Sequence, residues 1–214
     1  MISPAVKRSD CQGMTLIEVL VAGLIGTIAI GLISTALISA QRQIAQQSKR
    51  LLLSQNLSSV MQLISEDVQK AGYDGVSPSS LHLSGAADIV SIETAPALLG
   101  YIYRVSSSAT QAYRTVVFKH EVGSANMGHL KICEKPVSSP LTLQSAAISG
   151  SRYKCFDLFD PKQVSITDFS VSQASVASSS ARSAMLQYRL SAQLVNDPSV
   201  IEQQSATLIT GNWQ

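Results

Sequence analysis

Charge is scarce in this sequence. Asp, Glu, Lys and Arg make up only 14% of its 214 residues, and the net charge is +2. So small a balance argues against nucleic acid as the main partner, because proteins that bind it carry a pronounced basic face. A phosphate-cradling G-x-x-x-x-G-K-[S/T] loop is also missing, so energy for any assembly step has to come from another protein. His82, His120 and His129 have no G-x-S-x-G elbow beside them, and serine is common enough that its coexistence with histidine and aspartate is expected without a triad. His129 precedes Cys133 at a metal-like spacing, yet no second pair completes a tetrahedral site. Asp157 and Asp160 lack the dense oxygen-ligand spacing of a calcium loop and read as solvated surface. No catalytic residue, metal or other cofactor is therefore expected, and the chain is not expected to be an enzyme. No internal repeat stands out.

The scarcity is most extreme near the N-terminus. From Met14 to Ala40 the only formal charge is Glu18, and no proline intervenes. A membrane-spanning helix needs about 20 predominantly apolar residues, and this run supplies them. An ionisable group inside such a span reads as functional by default, since a central Asp, Lys or Arg costs about 2.5–3.5 kcal/mol on insertion scales. Glu18 sits near the end of the run, where the penalty is smaller, and no partner for its carboxylate is expected within its own segment. The run is too long for the h-region of a secretory signal, about 7–15 residues. An ordinary signal anchor fits the length but has no use for Gly13 directly before the run or for a carboxylate just inside it. Lys7 and Arg8 precede the run while Arg42, Lys49 and Arg50 follow it, so local charge leaves the orientation undecided.

Gly13-Met14-Thr15-Leu16-Ile17-Glu18, continued by Val19-Leu20-Val21-Ala22, closely resembles the class III leader of type IV prepilins and type II secretion pseudopilins. The resemblance implies that a prepilin peptidase cuts after Gly13 and methylates the new amine of Met14, leaving the hydrophobic helix on the mature protein. Met14 stands where the family usually has phenylalanine. Glu18 matches the family's glutamate, which the resemblance assigns to assembly through an N-terminal amine, a neighbour's or its own. It also implies the orientation: leader in the cytoplasm, a single pass through the inner membrane, the C-terminal domain in the periplasm and later in a pilus at the cell surface. Gly23, Gly26 and Gly31 each cost about 1 kcal/mol relative to alanine in a helix interior. Their use is close approach of neighbouring helices, as a filament core requires; a mildly weakened single anchor is the alternative.

Gln41 to Arg50 turns polar without a helix breaker, so the helix is expected to start near Met14 and to continue past the membrane. Leu53, Leu57, Val60, Met61, Ile64 and Val68 then recur at the spacing of one buried helical face, which packs into a core rather than binding a cofactor. The stop is written in Lys70-Ala71-Gly72-Tyr73-Asp74-Gly75, where Gly72 can take the left-handed conformation and Lys70 complements the last carbonyls. Ala71-Gly72-Tyr73 with Gly75, after the Glu66-Asp67 pair, resembles the end of the long helix in PilW-type minor pilins. Together the two matches cover roughly residues 10–75.

Beyond Gly75, short β-type runs alternate with turn residues. Val76 to Leu83, with Pro78, reads as loop. Strands are expected at Asp88–Glu93, Leu99–Val105, Tyr113–Lys119, His129–Cys133, Gln163–Val171 and Ala184–Leu194, with a serine-rich turn at Ala177–Ala181. A last run, Ser205–Thr210, is expected to pair back after Asn196-Asp197-Pro198. A long helix followed by strands predicts an α+β, type IV pilin-like fold with an antiparallel sheet packed on the helix. The expected organisation is a cleaved leader, 1–13; a transmembrane or filament-core half of the helix, 14–40; a soluble half, 41–73; and a strand-rich globular domain, 74–214.

Cys11 falls in the leader, so the exported mature chain retains Cys133 and Cys155. In an oxidising compartment such a pair reads as a disulfide, closing a loop on the order of 20 residues that is worth roughly 3 kcal/mol in the chain-entropy model. Two buried free thiols are the alternative. The resemblance implies a minor type IV pilin that helps initiate or cap pilus assembly. A J-type type II secretion pseudopilin is the alternative, and a membrane-tethered adhesin or enzyme is the rival from another class. Implied partners are the prepilin peptidase, other minor and major pilins through the N-terminal helix, the pilus assembly platform and the inner membrane.

Overall fold

The computed structural model describes residues 13–77, 79–107, 111–123, 126–177 and 182–210. The leader through Gln12, with Cys11, lies outside the described residues, as do Pro78 of the expected loop and residues 178–181 of the serine-rich turn. The chain divides into two compact units, Met1–Ser48 and Lys49–Gln214.

The first unit contributes the beginning of α1 (Leu16–Val68). Its apolar side chains stand exposed on every face, Leu16 at 79% and Leu37 at 59%, and it is long and apolar enough to cross a membrane. Within hydrocarbon every polar group needs a partner inside the segment. The hydroxyls of this stretch have one: Thr27 donates to Leu24 O, Ser34 to Ile30 O and Thr35 to Leu32 O, each at 2.8 Å.

In the second unit the same helix meets protein. The periodic stripe Leu53, Leu57, Val60, Met61, Ile64 and Val68 is buried, and two antiparallel sheets close over it. One has five strands in chain order: β1 (Val90–Thr94), β2 (Ala97–Arg104), β3 (Tyr113–Val122), β4 (Gly128–Val137) and β5 (Cys155–Asp157), with α2 (Leu143–Ala147) between the last two. The other has three: β6 (Val164–Ala177), β7 (Arg182–Leu194) and β8 (Asp197–Ile209). Leu99, Tyr101, Val116 and Phe118 from the first sheet and Phe169, Leu186, Tyr188 and Leu190 from the second join the helical stripe in one core. The registers Leu99↔Phe118 and Tyr101↔Val116 set these side chains on a common face.

Residues of the opposite parity build a second, smaller core. Leu98, Ile102, Val117 and Cys133 meet Leu83 and the α2 residues Leu143, Ala146 and Ala147. Thr142 caps α2, its hydroxyl accepting from Ser145 N. A side chain at Gly100 would bring its Cβ to 2.3 Å from Leu143 Cδ1, so the bare backbone there is what lets α2 lie on the sheet.

The expected α+β architecture is the one observed, with differences in detail. Two sheets pack on the helix instead of one. The helix begins at Leu16, near Met14 as expected, and ends at Val68, short of residue 73. Tight turns follow, with Lys70 N on Asp67 O and Ala71 N on Val68 O, each at 3.0 Å. Gly72 is left-handed, with φ of 78°, yet its N–H donates to Ile102 O of β2 at 2.9 Å instead of closing the helix. Lys70 lies past the helix end and pairs with Asp67 at 2.5 Å. The expected turn at Asn196-Asp197-Pro198 is a tighter one, since β8 already includes Asp197 and Pro198; β8 is an edge strand, where a missing N–H is tolerated. α2 and β5 were not expected.

Candidate functional site

The candidate site is the N-terminal segment from Gly13 to Glu18. Thr15 precedes the first helical residue, and four backbone N–H groups of a helix start have no intrahelical acceptor. Glu18 supplies one: Thr15 N donates to Glu18 Oε2 at 2.8 Å, and Thr15 Oγ1 donates to the same oxygen at 3.0 Å. In return Glu18 N donates to Thr15 Oγ1 at 3.4 Å. This is the reciprocal capping box of a T-x-x-E start. It corrects the expectation that the Glu18 carboxylate lacks a partner within its own segment. Only Oε2 is engaged; Oε1 has no hydrogen bond among the described residues.

Gly13 is not required by the chain's own packing, because a Cβ there would meet no atom within 4 Å. The same holds for Gly23, Gly26 and Gly31. Met14 is 69% exposed.

The other sequence-picked residues lie in the second unit. Cys133 of β4 and Cys155 of β5 face each other in register and are joined by a disulfide across 22 positions of sequence. His129 Nδ1 and Asp157 Oδ1 are 2.9 Å apart, so the histidine with metal-like spacing is tied to the neighbouring strand while Cys133 is committed to sulfur. Asp160 accepts from Lys162 N at 3.0 Å and Gln163 Nε2 at 3.1 Å, turning the chain into β6. His82 Nδ1 and His120 Nε2 are buried without a hydrogen-bond partner among the described residues. Among the described residues, no three His, Cys, Asp or Glu side chains gather as a metal site would require.

Polar ties hold the helix to the sheets, among them Gln204 Nε2 of β8, which donates to Ser54 O at 3.1 Å and Ser58 Oγ at 2.9 Å. Lys49 Nζ pairs with Asp197 Oδ2 at 2.8 Å; this bond, with one from Ser199, holds the Asp197 carboxyl below the usual carboxylate range. Tyr188 OH donates to Met61 O at 2.7 Å and lies 2.5 Å from Ser65 Oγ. Tyr101 OH donates to Asp67 Oδ2, and burial first, then the Asp67 charge, pushes the phenol well above its ordinary value. None of these ties was predicted from sequence. Thr15 was readable, since T-x-x-E is a sequence signature; the tyrosine contacts had no local signal.

Residues 46–210 match the model of a family described as prepilin peptidase-dependent protein B. No curated protein and no solved structure matches the chain.

Proposed function

The chain belongs to the prepilin peptidase-dependent protein B family, and from that premise we propose that it is a PilW-type minor type IV pilin, a non-enzymatic subunit that helps initiate or cap a pilus. Two stretches that do not overlap support the reading. The family match begins at residue 46, whereas the leader pattern runs from Gly13 to Ala22. The single observation that carries the proposal is an apolar helix half left uncovered at its N-terminus, continuous with a half that is built into a folded domain.

In this reading the peptidase cuts between Gly13 and Met14. The absence of any side chain at Gly13 serves the enzyme's cleft, since it serves nothing in the chain itself. The mature protein waits in the inner membrane as a single-pass subunit with its sheets in the periplasm. It then enters a filament in which other minor and major pilins replace lipid around Leu16 to Ser39. The assembly platform supplies the work. Glu18 enters with Oε2 held by its own Thr15 and Oε1 open, so an N-terminal amine can be accepted in a charge-assisted contact without dismantling the helix start. Burying such a pair returns little net stability, so the benefit is register between neighbours.

The test is processing and placement together. Intact-mass analysis is expected to show a chain beginning at a methylated Met14, Gly13→Val is expected to remain full length, and the mature form is expected in sheared pili at low abundance. Retention of residues 1–13 in cells with an active peptidase would remove the reading. Loss of secretion with normal pilus number in a deletion strain would assign the chain to the J-type pseudopilins instead.

A further inference from the structure

β1 is the outermost strand of the five-stranded sheet, and its only strand partner among the described residues is β2. Antiparallel pairing uses the N–H and C=O of alternate residues and turns the others outward, so the far side of β1 offers backbone donors and acceptors along roughly 17 Å. Proteins normally blunt such an edge with charge, proline or a bulge. β1 carries one charge, Glu93, and its Oε2 already accepts from Gln144 Nε2 at 3.2 Å.

The edge lies in a cleft of about 800 Å³. Ala86 and Leu143 on one wall belong to the smaller core, while Val171 on the other packs against the main core. The walls therefore rise from opposite faces of the sheet with the strand edge between them. The walls are almost uncharged, formed by alanine, serine, glutamine and aliphatic side chains. Asp88 is the exception; it is exposed and has no ion pair among the described residues. Ser91, which also lines the cleft, has a buried hydroxyl with no hydrogen-bond partner among the described residues.

We propose that this cleft receives an extended segment of another protein as an added strand on β1. The segment is uncharged through its middle and places a Lys or Arg against Asp88. Only an extended chain offers donors and acceptors at the repeat of a strand edge, the mode of recognition known as strand addition. Side chains on its two faces meet the two walls, and a polar group passing Ser91 satisfies the stranded hydroxyl. The cleft volume is within the range of ordinary ligand sites, but a compact small molecule would leave most of the edge unpaired. This inference goes beyond the filament role and does not rest on it.

The test uses the full-length chain in membranes of the producing cells. A benzophenone amino acid is placed at Ala87 and, separately, at Gln173, which line opposite walls of the cleft, with Ile201 on β8 as control. Both wall positions are expected to crosslink one protein, at sites within about six residues of each other, the length of an ordinary strand. Amides of residues 90–94 are expected to exchange about tenfold more slowly in those membranes than in purified protein. Gln173→Trp, at a cleft-lining position on the same face of β6 as Val171, is expected to abolish both signals. The proposal is overturned by adducts on lipid, by adducts from the two walls on different proteins or distant regions, by no adducts above the Ile201 control, or by unchanged β1 exchange. Leader processing and pilus counts are read separately, so failure here leaves the minor-pilin reading standing, and the converse.

Discussion

Leu37 and Leu57 occupy the same helix and are the same residue, so exchanging each for alanine isolates what surrounds them. Leu57 is fully buried in the main core and Leu37 is 59% exposed in the first unit. Leu57→Ala loses the transfer energy of the removed methyl groups and leaves a cavity against two sheets, a combination that costs about 2–5 kcal/mol. For domains of this size each kcal/mol moves the melting temperature by about 2–4 °C, giving an expected drop of roughly 4–20 °C. Leu37→Ala touches no part of that core, and the domain's transition is expected to stay within about 1–2 °C of the parent, the effect of an ordinary surface change. Near-ultraviolet circular dichroism of the full-length protein in detergent follows the buried tyrosines through the transition. Equal shifts for the two variants, or a shift below about 2 °C for Leu57→Ala, would refute the claim that one helix serves two different environments.

Cys133→Ser is expected to lower the melting temperature by roughly 6–12 °C, from about 3 kcal/mol for a loop of this length, and two alkylatable thiols in the native protein would contradict the link. Tyr101 has a folded pKa raised above its unfolded value by burial first, so its contribution is fully present below about pH 10 and is lost as pH rises toward the folded value. The melting temperature is therefore expected to fall above about pH 10, less steeply in Tyr101→Phe; parallel slopes would show that Tyr101 is not the group responsible. Glu18→Ala is expected to insert and fold normally yet be absent from sheared filaments and lower the number of pili, whereas Thr15→Val, which keeps the carboxylate and the backbone bond to it, is expected to assemble. Recovery of Glu18→Ala in filaments at the parental level would sink the intermolecular role of that carboxylate.

What could be read in advance follows from how local each signal is. The buried stripe from Leu53 to Val68 was legible because a helix repeats its contacts every three or four positions. The long strands β2, β3 and β7 were legible from runs such as Tyr113-Arg114-Thr115-Val116-Val117-Phe118. β5 was not, since Cys155-Phe156-Asp157 is held as a strand by pairing with β4 and carries no period of its own. Leu143-Gln144-Ser145-Ala146-Ala147 is too short for periodicity to declare, and its helix depends on Thr142 and on Gly100 beneath it. Gly72 was read correctly as a left-handed residue but assigned to the wrong partner, because its acceptor, Ile102 O, lies thirty residues on. The partition into two sheets is a tertiary property with no local mark. At the candidate site, Gly13, Met14 and Glu18 were legible as a motif, while the Thr15 bridge was overlooked although T-x-x-E spelled it out.

The bond from Tyr188 to Met61 spans 127 positions of sequence, which sets an order of events during synthesis. The first sheet is a meander, each strand pairing with the strand before it in the chain, so it can close over the helix as it emerges. The face awaiting β7 cannot. At about 5–20 residues per second, the ribosome needs roughly 6–25 s after Met61 to deliver Tyr188. Throughout that interval the apolar flank of the helix that includes Leu57, Met61 and Ile64 stands without the strand that completes its core. A chain halted before β7 therefore leaves that flank uncovered, and completion of the main core waits on Arg182–Leu194 near the end of the chain.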